Sequence, residues 1–170
     1  MELKIIGSLL VLVGVSGIGI SLGMKEWHRT DSLKEVKGSI NIILSELLYN
    51  KSLFYEAVKK AEESSVVLKE IYKEVLKGLD NNNSVYLSWK FAFEKYKNET
   101  YLSNEEIKTI TNLGQVFSSP DYNYQKSEIN SFIDSMEEKI KLSSEKSIKD
   151  SKLYRSMSIS IAAFVVVLLF

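Results

Sequence analysis

The sequence predicts an all-α protein, a bundle of about six helices between an N-terminal and a C-terminal transmembrane helix. Three observations predict it. Breakers are scarce, with 1 Pro and 8 Gly in 170 residues, and no stretch alternates apolar and polar residues as a half-buried strand does. Apolar residues recur at helical spacing through most of residues 33–140. Both ends carry long uncharged runs.

Residues 5–24 read IIGSLLVLVGVSGIGISLGM, with no charge. As a helix such a run rises about 30 Å, the thickness of a bilayer's hydrocarbon. A cleaved signal peptide would want a basic n-region and a small-x-small cleavage site. Only Met1-Glu2-Leu3-Lys4 precede the run, and it is longer than a usual h-region, so residues 1–24 are expected to be an anchor. Gly19 and Gly23 form a GxxxG pair, which allows close helix–helix packing inside a membrane.

The central segment, 25–155, should form one core. Leu33, Val36, Ile40, Ile43, Leu44 and Leu47 share a stripe and predict a first helix over about 31–49, capped by Asp31 or Ser32. Ser52 opens a second helix with Leu53, Phe54, Ala57, Val58 and Ala61 inward. After Ser64-Ser65 a third carries Leu68, Ile71, Tyr72, Val75 and Leu76 and ends at Gly78. Leu79-Asp80-Asn81-Asn82-Asn83 is a loop. Ser84 caps a fourth helix that buries Val85, Trp89, Ala92, Phe93 and Tyr96. Ser103 with Glu106 makes a capping box for a fifth, bearing Ile107, Ile110, Leu113 and Phe117. Ser119 caps the sixth, with Pro120 at its first position and Asp121 in its first turn. Ile129, Phe132, Ile133, Met136 and Ile140 face inward, and from about residue 143 the helix turns polar all round, as a solvated stalk does. Glu137–Lys141 and Glu145–Lys149 are spaced for i,i+4 support.

The last segment, 156–170, reads SMSISIAAFVVVLLF and predicts a second, short membrane helix. Lys25, Arg29, Lys34 and Lys37 follow the first anchor, and Lys146, Lys149, Lys152 and Arg155 precede the second. By the positive-inside rule both anchors place the middle in the cytoplasm. With that orientation the sequons Asn50-Lys51-Ser52 and Asn98-Glu99-Thr100 have no meaning.

Chemistry-bearing patterns are missing. Lys+Arg and Asp+Glu both number 22, so there is no basic surplus for nucleic acid. There is no Cys and one His, His28, which removes thiolate nucleophiles, disulfides and imidazole metal pairs. No Walker loop, HExxH or GxSxG occurs. The neighbours Glu62-Glu63, Glu105-Glu106 and Glu137-Glu138 point about 100° apart on a helix and cannot clamp one ion. No catalytic, cofactor or metal site is expected. His28 beside Trp27 suits a membrane border. Leu87 and Phe91 lie off the buried face of the fourth helix and predict a small exposed partner patch.

Along its length the chain resembles the stage III sporulation protein AB family of endospore-forming bacteria. The resemblance rests on Trp89, on Leu113-Gly114, on Asp121 with Gln125 four residues on, on Ile129, and on Leu153-Tyr154-Arg155-Ser156 before the terminal apolar run. The chain departs from the pattern at Phe117-Ser118, where a Leu-Gly step is expected, and after Ser156, where Met157, Ile159, Ala162 and Ala163 replace Gly-rich sequence. The resemblance implies a bundle like those of the inner-membrane platform protein of type II secretion and type IV pilus systems. It implies a place in the mother-cell membrane around the forespore, within a channel complex. It also implies contact with a secretion-type ATPase, stage III sporulation protein AA, whose motion the bundle would pass on mechanically. Asp121 and Gln125 then become candidate partner contacts beside Leu87 and Phe91, although capping and packing at the start of the sixth helix is the favoured reading of both. The sequence leaves the oligomeric state open, with a homo-oligomer among the options. The competing expectations are an extracytoplasmic sensory module between two membrane helices and a membrane enzyme. The basic flanks oppose the first, as does the lack of an output domain after Phe170, and the missing site opposes the second.

Overall fold

The structure, a computed structural model, describes the backbone of residues 2–169 and the side chains of 24–150. Beyond these it describes the side chains of Lys152, Leu153, Ser156, Met157, Ser160, Ile161 and Phe164. The described residues form six α-helices and no strand: α1 (Glu2–Leu48), α2 (Phe54–Ser64), α3 (Lys69–Asp80), α4 (Val85–Lys95), α5 (Asn104–Phe117) and α6 (Tyr122–Leu169). A 3-10 turn, Lys97–Glu99, joins α4 to α5. The chain is all-α, as its periodicity predicts.

Several boundaries differ from expectation, each for a physical reason. The first helix does not begin at Asp31 or Ser32. It is one helix with the preceding apolar run, because nothing between Met24 and Thr30 breaks it and Ser32 is buried inside a turn instead of capping one. Leu53 is not inward; it is the N-cap of α2 and stands exposed. Gly78 does not end α3, which continues two residues to Asp80. The N-cap of α6 is Asp121 and not Ser119, for the Asp121 carboxylate accepts from the backbone N–H groups of Asn123 and Tyr124 at 2.9 and 3.1 Å. Pro120 thus lies just outside the helix. Glu137 pairs not with Lys141 but with Lys37 of α1, at 2.8 Å.

The chain divides into two compact units: Arg29–Lys141, and the segments Met1–His28 and Leu142–Phe170. In the first, the inward faces of all six helices meet in one core that includes Leu33, Val36, Ile40, Tyr72, Trp89, Phe93, Ile110, Ile129 and Met136. Helices α2 to α5 pack successively on their neighbours. α1 and α6 meet antiparallel, at Lys37–Glu137 and again where the Tyr122 hydroxyl donates to the Leu48 carbonyl at 3.2 Å.

Two carboxylates on α1 hold the connections that follow it. Glu46, nearly buried, accepts from Asn50 Nδ2 (2.9 Å), Ser52 Oγ (2.8 Å) and Lys60 Nζ (2.7 Å), so it ties down both the loop before α2 and α2 itself. Hydrogen bonds from Lys60 and Ser52 hold its carboxyl below the ordinary range. Glu35 accepts from three successive backbone N–H groups, Val66, Val67 and Leu68, at 2.8–3.0 Å. It caps α3 from another helix, and α3 has no side-chain cap of its own.

In the other unit Lys146 pairs with Glu26 at 2.7 Å, and Trp27 meets His28 edge-on at 5.4 Å between ring centroids. Leu153, Met157, Ile161 and Phe164 stand exposed along α6. Among the described residues no helix is long and apolar enough to cross a membrane. Most side chains of the expected anchors 5–24 and 156–170, and the expected packing of Gly19 and Gly23, lie outside the described residues.

Candidate protein-interaction surface

The α3–α4 hairpin builds the surface. Ser84 caps α4 by accepting from Leu87 N at 3.3 Å, and Asn82 turns the chain with φ 58°, a conformation Asn tolerates well. Gly78 allows the two helices to touch. A Cβ there would lie 2.7 Å from Ser88 Oγ and 2.8 Å from Ser88 Cβ, too close for any side chain. Trp89, one residue on, faces inward, where its indole Nε1 donates to the Ile110 carbonyl at 2.8 Å. Its ring lies 4.8 Å from Phe93 and 5.0 Å from Phe117, centroid to centroid. With Trp89 locked inward, the 100° step of the helix turns Leu87 and Phe91 outward, 56% and 58% exposed.

Between them runs a groove of about 160 Å³, floored by Gly78 and Ser88 and bordered by Glu74, Lys77, Asn81 and Asn83. Glu74 receives Lys95 Nζ at 2.8 Å, which lowers the Glu74 carboxyl and raises the Lys95 ammonium from their ordinary values. The same ammonium sits 5.9 Å from the centre of the Phe91 ring. The groove thus has two apolar rails, one neutralised ion pair and an exposed Lys77. Ser88 Oγ is buried and has no hydrogen-bond partner.

The remaining candidates are occupied within the chain. Asp121 caps α6, and Gln125 Nε2 donates to the carbonyls of Phe117 and Ser119, so both stitch α5 to α6. Among the described residues no hydrogen bond or ring contact joins Leu87 or Phe91 to Asp121 or Gln125. Among the described residues no group of three or more His, Asp or Glu side chains is placed to hold a metal ion. Of the adjacent carboxylates, Glu106 is buried while Glu105 is exposed, as their helical offset predicts.

Glu106 holds a site that sequence reasoning recognised only as a cap. It completes the capping box with Ser103, accepting from Ser103 N at 2.7 Å. It also receives Arg29 of α1 in a two-point contact, Nη2 to Oε1 at 2.6 Å and Nε to Oε2 at 3.2 Å. Burial works to raise this carboxyl. The Arg29 guanidinium and the Ser103 N–H outweigh it and leave the group below its ordinary value. The only trace in the sequence was an Arg in a Lys-rich chain, a residue suited to two-point pairing with a carboxylate.

Residues 4–170 match the family model described as stage III sporulation protein AB. The chain belongs to that family. Membership supports a role in sporulation. No curated protein and no solved structure matches the chain. In this stage III sporulation protein AB family member, Trp89, Gly114, Asp121, Gln125 and Ile129, which carry part of the likeness, lie at the packing of α4, α5 and the start of α6. Gly114 leaves room for Trp89, whose Cδ1 would be 3.1 Å from a Cβ at that position. Ser118 Oγ donates to the Gly114 carbonyl at 2.7 Å, Gln125 and Asp121 fix the turn into α6, and Ile129 is fully buried.

Proposed function

We propose that the protein is a non-enzymatic membrane platform of the sporulation channel complex. Residues 5–24 and 156–170 anchor it in the mother-cell membrane, and residues 25–155 lie on the cytoplasmic side. There the bundle receives a secretion-type ATPase, stage III sporulation protein AA, and passes its motion to the membrane assembly. The observation that carries the reading is the family match over residues 4–170, which takes in both apolar ends and the bundle together. The rest supports it: basic residues flank both apolar runs on the side of the middle, and the α3–α4 groove offers protein partners an apolar contact.

A cysteine-free chain makes the topology test clean. Asn98 is exposed in the 3-10 turn, whereas Asn82 has a positive φ that a Cys would tolerate poorly. In sporulating cells carrying Asn98→Cys, a membrane-impermeant maleimide should label the protein only after lysis. The ATPase should co-purify with the full chain from solubilised membranes. Labelling of intact cells would put the bundle outside the cytoplasm, remove the ATPase contact and leave the sensory reading in its place.

A further inference from the structure

The α3–α4 groove has its counterpart on the same molecule. The α2–α3 connection presents Val66, 86% exposed, beside exposed Val67, with the Glu63 carboxylate one turn before them at the end of α2. An apolar tip on a loose loop would lose much entropy on docking. This one is already rigid, because Glu35 holds the N–H groups of Val66, Val67 and Leu68. The tip is therefore an apolar knob with a carboxylate beside it. The groove is an apolar slot between Leu87 and Phe91 with an ammonium, Lys77, on its border. Among the described residues neither Glu63 nor Lys77 makes a direct ion pair, and Lys77 acts on Glu74 only from far enough to help lower its carboxyl.

We propose that the Val66-Val67 knob of one copy docks in the α3–α4 groove of a second copy, with Glu63 against Lys77. The inference rests on the reading of this groove as a protein-contact surface and names the partner as the same chain. Knob and groove lie at opposite ends of α3, about 18 Å apart for a helix of its length. The contact is consequently head-to-tail. It leaves a free knob and a free groove on every pair and generates a ring or an open row of copies.

Two differently tagged full-length chains, one carrying Val66→Cys and the other Leu87→Cys, are co-expressed in membranes and oxidised. We expect a mixed disulfide at least tenfold above that formed by Val66→Cys with a chain carrying Asn41→Cys, an exposed position on α1. Adding Lys77→Glu to the Leu87→Cys chain should bring the yield down to the control, and adding Glu63→Lys to the other chain should restore it. All these positions are exposed, so the variants should keep the wild-type circular dichroism. A yield no greater than control, or one that Lys77→Glu leaves unchanged, overturns the proposal. Recovery of the ATPase with the same variants separates the two readings. A Val66→Cys with Leu87→Cys yield no greater than control while the ATPase still co-purifies sinks self-docking alone; the ATPase lost with that cross-link intact sinks the platform reading alone.

Discussion

At the scale of single residues the Arg29–Glu106 pair dominates. Glu106 is 1% exposed, and its charge is matched by one guanidinium and one backbone N–H. Removing the cation with Arg29→Met should cost about 3–5 kcal/mol, the usual penalty for leaving a buried charge without its partner. The pH dependence has a definite sign. In the wild type the folded carboxyl lies below its unfolded value, so its contribution is fully present above about pH 4.3 and is lost as pH falls through the folded value. In Arg29→Met burial acts against the Ser103 N–H alone, and the carboxyl moves up from its wild-type value. The variant's deficit should therefore be largest near neutral pH and narrow toward acid, in urea unfolding of the full chain in detergent. A deficit independent of pH would show that charge is not what the pair supplies. The pairing is not legible from spacing, since the partners are 77 residues apart and the capping box accounts for Glu106 without Arg29.

At the scale of elements the informative places are where one helix depends on another. Gly78→Ala would raise the helix propensity of α3 by about 1 kcal/mol in isolation. The new methyl, however, meets Ser88 at 2.7–2.8 Å, and a net loss of about 1–3 kcal/mol in thermal unfolding is expected as the helices separate. Ser88→Gly should restore most of it by removing the opposing atoms. Glu35→Ala removes the acceptor of three N–H groups and should cost about 1–3 kcal/mol. Hydrogen exchange at Val66, Val67 and Leu68 should quicken, with the amides inside α4 unaffected. Periodicity and caps located five of the six helices within a few residues, because an apolar stripe and a Ser cap are local signals. The same signals misplaced the start of α1 and the end of α3. Asp31 and Gly78 resemble boundary residues, but continuous packing carries the helix through both.

At the scale of the whole molecule, one core belongs to Arg29–Lys141. That segment expressed alone should remain helical and unfold in a single cooperative transition by circular dichroism; gradual melting would mean that it draws its stability from the terminal segments. The all-α class and most core residues were legible, since burial of an apolar face imposes a period that the sequence must show. The candidate surface was half legible. Leu87 and Phe91 could be identified as outward-facing from Trp89 alone, by helix geometry. The groove beside them could not, because it exists only where Gly78 and Ser88 bring two helices together. Glu35, Glu46 and Arg29 escaped detection for the same reason: each acts on a segment it meets only in three dimensions.

The antiparallel meeting of α1 and α6 sets the order in which the chain can complete itself during synthesis. Lys37 waits for Glu137, 100 residues downstream. A ribosome adding about 5–20 residues per second takes about 5–20 seconds to supply it. Through that interval Leu33, Val36 and Ile40 lack whatever cover α6 gives them, while α2 to α5 can already close on their nearest neighbours. The nascent chain is most vulnerable to wrong association just before its last third emerges, and a ribosomal pause there would expose the defect most sharply.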